Sequence, residues 1–184
     1  FLEERMFKPL GMVDTGFYVP KSKMERFSQM YVPANGGQLE VADPALSTNF
    51  VSKPSFLGGG GGLVSTTNDY LRFCQMHLNG GELDGVRILG RKTIELMRMD
   101  HLGDVQRGNG AYGFGLGFAV AKDLAAMGGV GSVGEYNWGG AAGTKFWIDP
   151  VENMVGIYMV QILPGSGLPY GNIMKNFAYQ SIVD

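Results

Sequence analysis

From Tyr112 onward the chain is written in a two-residue alternation broken by glycine, and that pattern restricts it to short, closely covered β-strands. Tyr112, Phe114, Leu116 and Phe118 alternate with Gly113, Gly115 and Gly117. Residues two apart share a face of a strand, so this stretch sets large side chains against bare backbone, as in a strand covered tightly on one side. Trp138 to Ile148 alternates as well. Ala142, Thr144, Phe146 and Ile148 fall on one face, and Gly143, Lys145, Trp147 and Asp149 on the other. Met154 to Ile162 follows through Asp149-Pro150-Val151-Glu152-Asn153, whose turn-forming residues read as a hairpin connection. Strands joined by links this short pair antiparallel.

Helical periodicity supplies the other layer. Leu2, Met6, Phe7 and Leu10 recur at helical spacing up to Pro9. Asn68 to Leu78 carries the stripe Tyr70, Phe73, Cys74 and Leu78, with a cap expected from Ser65, Thr66 or Thr67 and a stop at Asn79-Gly80-Gly81. Arg91 to Met99 turns Ile94 and Met97 inward. Gly171 to Asp184 closes the chain, with Ile173, Met174, Phe177, Ala178 and Ile182 as its apolar stripe. Residues 13–57 hold Pro20, Pro33, Pro44 and Pro54 and predict a long excursion with strand pieces at Gln29 to Val32 and Gln38 to Val41. Excursions of this length usually form functional walls or lids. The expected class is α+β, an antiparallel sheet packed by helices.

At 184 residues with 45% hydrophobic content the chain has the composition of one soluble domain, in the cytoplasm or the periplasm. A net charge of -2 without a basic cluster argues against nucleic acid and anionic membrane as partners. No apolar run is long enough for a bilayer span. One cysteine excludes an internal disulfide and a cysteine metal cage. Glycine, 30 residues, is interleaved with hydrophobic residues, which points to tight turns and close packing rather than disorder. The helical pattern is already under way at Phe1 with no cap before it, so residues upstream are expected in the parent protein.

The stretch with most chemical content is Trp138-Gly139-Gly140-Ala141. A glycine pair at the start of a strand lets another molecule approach bare N–H groups. The same pair also suits a bulge or a crowded strand crossing.

Several segments together resemble the serine β-lactamase and penicillin-binding-protein superfamily, in particular class C β-lactamases and the related family VIII esterases. Pro9-Leu10-Gly11-Met12-Val13-Asp14-Thr15-Gly16-Phe17 resembles that group's PLGMxDTxF turn. Gly59 to Asp69, with Leu71 and Phe73, resembles its GGGGLVSTxxDYLRF segment. Gly80 to Leu89 and Tyr112 to Gly117 resemble later segments, and Trp138-Gly139-Gly140 stands where lactamases carry Lys-Thr-Gly and esterases often carry Trp-Gly-Gly. The resemblance implies the C-terminal portion of one β-lactamase/transpeptidase-like domain over residues 1–184. It implies a serine acyl-enzyme acting on a small ester or β-lactam, without a cofactor. In that family the backbone N–H of Ala141 would be one oxyanion donor, worth roughly 3 kcal/mol in the transition state. Gly139 and Gly140 would keep the backbone open to substrate. Trp138 would replace a charged lysine by an apolar wall with one N–H donor, favouring esters over carboxylate-bearing β-lactams.

The family's nucleophile and base are not found in this sequence. No serine has a lysine three residues later, and there is no Gly-x-Ser-x-Gly elbow. Tyr170-Gly171-Asn172 fits Tyr-x-Asn literally but follows the Trp-Gly-Gly strand, the wrong order for the family, and reads as a helix entry. The expected partner is therefore an N-terminal segment, or a second chain, carrying Ser-x-x-Lys. The alternative is a truncated, non-catalytic binding or interaction module of the same fold. Cys74 and His77 lie one helical turn apart but lack the further ligands a metal site needs. Asp100 and His101 could enter a triad only with a serine that nothing specifies. Gly58 to Gly62 lacks the Lys-Ser/Thr ending of a phosphate loop.

Overall fold

The alternating second half of the chain builds a five-stranded antiparallel sheet. The computed structural model describes residues 1–44, 50–103, 105, 108–165 and 167–183. Ser47 and Ser166, both tested above for Ser-x-x-Lys, and Asp184, the expected end of the last helix, lie outside the described residues. The strands run in sequence order across the sheet: β5 (Tyr112–Phe114), β6 (Ala119–Ala121), β7 (Tyr136–Gly139), β8 (Lys145–Asp149) and β9 (Met154–Tyr158). Two small hairpins precede them, β1 (Tyr31–Pro33) with β2 (Leu39–Val41), and β3 (Glu82–Leu83) with β4 (Val86–Arg87). The α+β class and the antiparallel pairing are those read from the sequence.

Two strand boundaries differ from that reading. The run Tyr112 to Phe118 is not one strand. It reverses at Gly115-Leu116-Gly117, where Gly115 N–H donates to Phe118 O at 2.8 Å and Gly117 takes φ +98°. Leu116 is thereby turned outward, 51% exposed, instead of joining Tyr112 and Phe114. Trp138 to Ile148 is likewise two strands joined by the turn Gly140 to Thr144, with Trp138 opposite Phe146 and Gly139 opposite Lys145. Alternation of residue types continues through a short turn unchanged, so periodicity alone does not reveal the reversal.

Helix α1 (Thr67–Leu78) is capped by Thr66, whose hydroxyl accepts Asp69 N–H at 3.2 Å. Its stripe meets the sheet in a core of Cys74, Phe118, Val120, Tyr136, Phe146 and Ile148, flanked by Tyr70, Phe73 and Leu78. Behind α1, Met76 packs with Phe7, Leu10, Met12 and with Ile94 from α2 (Arg91–Met97). Asp69 does more than favour the helix N-terminus. It is buried, and its Oδ2 accepts Asp14 N–H at 2.7 Å and Thr15 Oγ1–H at 2.8 Å, which fixes the turn after Pro9 against α1. A short helix α3 (Leu124–Met127), capped by Asp123, was not legible in the glycine-rich surroundings. Among the described residues no helix is long and apolar enough to cross a membrane.

The last helix, α4 (Tyr170–Gln180), packs on the sheet face opposite α1, and it does so with its polar side. Most of the stripe read from the sequence faces away from the sheet, Ala178 excepted. Ile173, Met174 and Phe177 are exposed, while Gly171 is buried and Lys175, Ala178 and Tyr179 are partly buried. The side chains that decide this sit in β8 and before β7. Lys175 Nζ donates to Glu135 Oε1 at 2.7 Å, and the Tyr179 hydroxyl lies 2.8 Å from Glu135 Oε2 and 2.6 Å from Asp149 Oδ2. Both carboxyl groups are fully buried.

A phenol has one proton and cannot donate to two carboxylates. Asp149 also accepts N–H from Val151 and Glu152 at 2.9 and 3.2 Å, and the single Tyr179 proton serves one of the two carboxyl groups at a time. Burial pushes the Glu135 carboxyl above its ordinary value, against the opposing pull of Lys175. A carboxyl whose value is raised on folding binds more protons folded than unfolded. Its contribution is full below the unfolded value near 4.5 and is lost as pH climbs through the folded one. Glu135→Gln removes the titrating group, so its stability relative to the wild-type chain should rise as pH climbs above about 4.5. A difference in melting temperature that stays constant as pH climbs would rule out the raised carboxyl.

Candidate active site

The end of β7 and the turn that leads to β8 carry the four residues singled out in the sequence. β7 ends at Gly139, and β6 accompanies it only as far as Asn137 opposite Ala119. Trp138, Gly139, Gly140 and Ala141 therefore run out past the end of β6 and are exposed. Trp138 is 43% exposed, and its ring packs edge-on to Phe114 with centroids 5.1 Å apart. The turn is closed by Gly140 N–H to Thr144 O at 2.8 Å and Gly143 N–H to Gly140 O at 3.0 Å. The chain that follows β9 props it from beneath. Ile162 N–H reaches Ala142 O at 3.0 Å, and Gly165 N–H reaches Ala141 O at 2.7 Å.

These contacts fix the carbonyl of Ala141 and leave its N–H without an acceptor among the described residues. The glycines serve the turn as well as access. A Cβ on Gly140 would overlap the Thr144 hydroxyl, and one on Gly165 would overlap the backbone of Gly143. A cleft of about 510 Å³ opens here, lined by Gly139 to Ala141, by Gly143 to Lys145 and by Leu163 to Gly165 with Gly167 and Leu168. That volume is in the range of small-molecule sites. A second cleft of about 340 Å³ lies between the sheet and the start of α4, and shares Gly139 and Lys145 with the first.

Lys145 is a neighbour the sequence reading overlooked. It is half-buried, stands opposite Gly139, and donates to Asn172 Oδ1 at 2.8 Å. Burial and the nearby Lys175 charge lower its ammonium from the ordinary value. The signal that would have found it is its parity with Trp147 and Asp149 on the face that α4 covers.

The other candidates are not brought to this site. Tyr170-Gly171-Asn172 opens α4, and Asn172 serves Lys145. Cys74 is fully buried and its thiol is pushed up to about 12 by burial. His77 is buried among Phe73, Phe118 and Tyr136, and burial lowers its imidazole to about 4, so it stays neutral. Asp100 accepts from Lys122 Nζ and from the backbone of Leu102 and Phe114, which holds it at about 2. His101 instead pairs through Nε2 with Leu96 O at 2.8 Å, so Asp100 does not orient it.

Residues 1–174 match the protein family described as Beta-lactamase. Protein Rv1367c of Mycobacterium tuberculosis (strain ATCC 25618 / H37Rv) is 37% identical over 174 residues, covering 89% of this chain and 43% of that protein. The chain thus spans less than half the length of the curated relatives it matches. Among solved structures it is similar to EstCE1, a hydrolase with promiscuous acyltransferase activity, at TM-score 0.78 and 23% identity over 96% of this chain and 49% of that one. Simvastatin synthase (LovD) from Aspergillus terreus matches at TM-score 0.78 and 20% identity, over 98% of this chain and 50% of that one. A penicillin-binding protein homolog from Caulobacter crescentus matches at TM-score 0.69 and 19% identity, over 98% and 52%. At these identities the three structures establish the fold.

Proposed function

Because this chain belongs to the Beta-lactamase family, we propose that it is the C-terminal portion of a serine acyl hydrolase, supplying one oxyanion donor and a pocket wall. The observation that carries this reading is the open N–H of Ala141 beside a cleft of small-molecule size. In the proposed reaction a serine Oγ outside this chain attacks the substrate carbonyl. Its proton passes to a neighbouring base, and the alcohol leaves from an acyl-enzyme that water then cleaves. The negative charge that develops on the carbonyl oxygen is held by Ala141 N–H together with the serine's own N–H. Trp138 presents an apolar wall rather than a cation, which favours esters over β-lactam carboxylates. The binding-module alternative draws on one observation, the missing Ser-x-x-Lys.

A fluorophosphonate separates the two. The 184-residue chain alone is expected to gain no mass. Mixed with the portion of the mycobacterial relative that it does not match, it should hydrolyse p-nitrophenyl acetate, with the label on the added polypeptide. Labelling of a serine in this chain would overturn the assignment of roles, and a stable mixture without turnover would favour the binding module.

A further inference from the structure

We propose that the β1–β2 hairpin is the outer support of the Ala141 turn, and that Tyr31 acts through its backbone as a positioning residue for the oxyanion donor. The catalytic half of the proposal rests on the reading above. Neither strand of the hairpin belongs to the five-stranded sheet. Tyr31, Leu39 and Val41 are 37%, 49% and 60% exposed, while Met30 and Ala42 at the base of the hairpin are buried. A two-stranded hairpin that buries so little of itself is marginal alone, so its place in the fold depends on what its backbone meets.

Its partner is the chain that follows β9. Tyr31 N–H donates to Gln161 O at 2.9 Å, and Leu163 N–H donates to Tyr31 O at 2.8 Å. The two bonds bracket Ile162, which is buried and forms a parallel β-bridge with Tyr31. Successive N–H groups of an extended chain point to opposite sides. Ile162 N–H accordingly turns the other way and donates to Ala142 O at 3.0 Å, and Gly165 N–H reaches Ala141 O at 2.7 Å. Residues 161–165 therefore stand as a strap with the hairpin on one side and the turn on the other. Both backbone groups of Tyr31 are committed to this strap, and the Ala141 and Ala142 carbonyls are committed to its inner side. Releasing the outer side lets the strap, and with it the peptide that carries Ala141 N–H, move. A donor displaced by a fraction of an ångström is lost to the transition state more than to the bound substrate.

The first measurement needs no turnover. In the 184-residue chain, an amide-to-ester replacement at residue 31 removes the N–H that reaches Gln161. It leaves the hairpin's own bonds, Ala34 N–H to Gln38 O and Ala42 N–H to Met30 O, in place. Amide exchange at Ile162 and Gly165 should quicken about fivefold, the effect of one lost hydrogen bond. Tyr31→Pro removes the same N–H and should give the same result. The second measurement mixes the chain with the unmatched portion of the mycobacterial relative and follows p-nitrophenyl acetate. Either change at residue 31 should lower kcat about tenfold with KM little changed. Tyr31→Phe keeps both backbone bonds and should restore the wild-type values. Unchanged exchange at Ile162 and Gly165 would overturn the proposal, as would faster exchange with unchanged kcat in a mixture that turns over, or a loss in Tyr31→Phe equal to that of the ester. Faster exchange in a chain whose wild-type mixture shows no turnover would overturn the hydrolase reading and leave the hairpin as the support of the turn.

Discussion

On the proposed oxyanion role, replacing Ala141 by proline in the reconstituted hydrolase is expected to lower kcat for ester hydrolysis by about 10²–10³, with KM little changed. Proline removes the backbone N–H, which no hydrogen bond of the turn uses, and fixes φ. The four hydrogen bonds that hold residues 140–144 come from Gly140, Gly143, Ile162 and Gly165, and none comes from Ala141 N–H. A donor aimed at charge that appears only in the transition state should affect turnover rather than substrate binding. Ala141→Gly keeps the N–H and should retain most activity. An amide-to-ester replacement at residue 141 removes the N–H without fixing φ, and should reproduce the proline result. Unchanged kcat in the ester-backbone protein would remove Ala141 from the mechanism, and a rise in KM alone would make it a binding contact.

The largest stability effect is expected at Gly165. A Cβ there would overlap the nitrogen and Cα of Gly143 and the carbonyl carbon of Ala142. These are backbone atoms, so no side-chain rotation relieves the overlap. Gly165→Ala should cost about 3 kcal/mol, at the upper end of overpacking effects. Gly167, two residues on, makes an informative comparison. It has φ +88° and open space around its Cα, so Gly167→Ala carries backbone strain alone, about 1 kcal/mol. Urea unfolding of both variants decides the matter. Equal losses would show that close approach at Gly165 is not what holds the turn. Because Gly165 N–H also bonds Ala141 O, the Gly165 variant should, on the proposed reading, lower turnover of the chain mixed with its complementary portion at temperatures where it is still folded.

Much of this architecture is legible in the chain. The spacing of Tyr70, Phe73, Cys74 and Leu78 announces α1 and its buried face, and the Ser65-Thr66-Thr67 run announces its start, with Thr66 the cap in the structure. The Asp149 to Asn153 turn announces the β8–β9 hairpin. The two missed reversals, at Gly115-Leu116-Gly117 and at Gly140 to Thr144, share one cause. A short turn preserves the alternation of residue types, and the glycines that permit it look like the small face of a continuous strand. The second of these changes the reading of the site, since Ala141 sits at the tip of a hairpin rather than inside a strand. The small cluster of Asp69, Asp14 and Thr15 was legible only as a helix N-terminus and a family-like turn, because 54 residues separate Asp69 from Thr15.

The sequence by itself determined the fold class, the main helices and the strand-rich second half, though not the two reversals within it, together with the resemblance of motif order to a family and the absence of Ser-x-x-Lys. All of these depend on local spacing, which a linear string carries. Only the tertiary structure decided which side of α4 meets the sheet. By hydropathy Ile173, Met174 and Phe177 belong inside. The pairing of Lys175 and Tyr179 with two buried carboxyl groups, 30 to 44 residues away in sequence, outweighs that preference. A buried carboxyl without partners costs more than an apolar stripe left on the surface, and that balance is set by contacts between segments that no local pattern records.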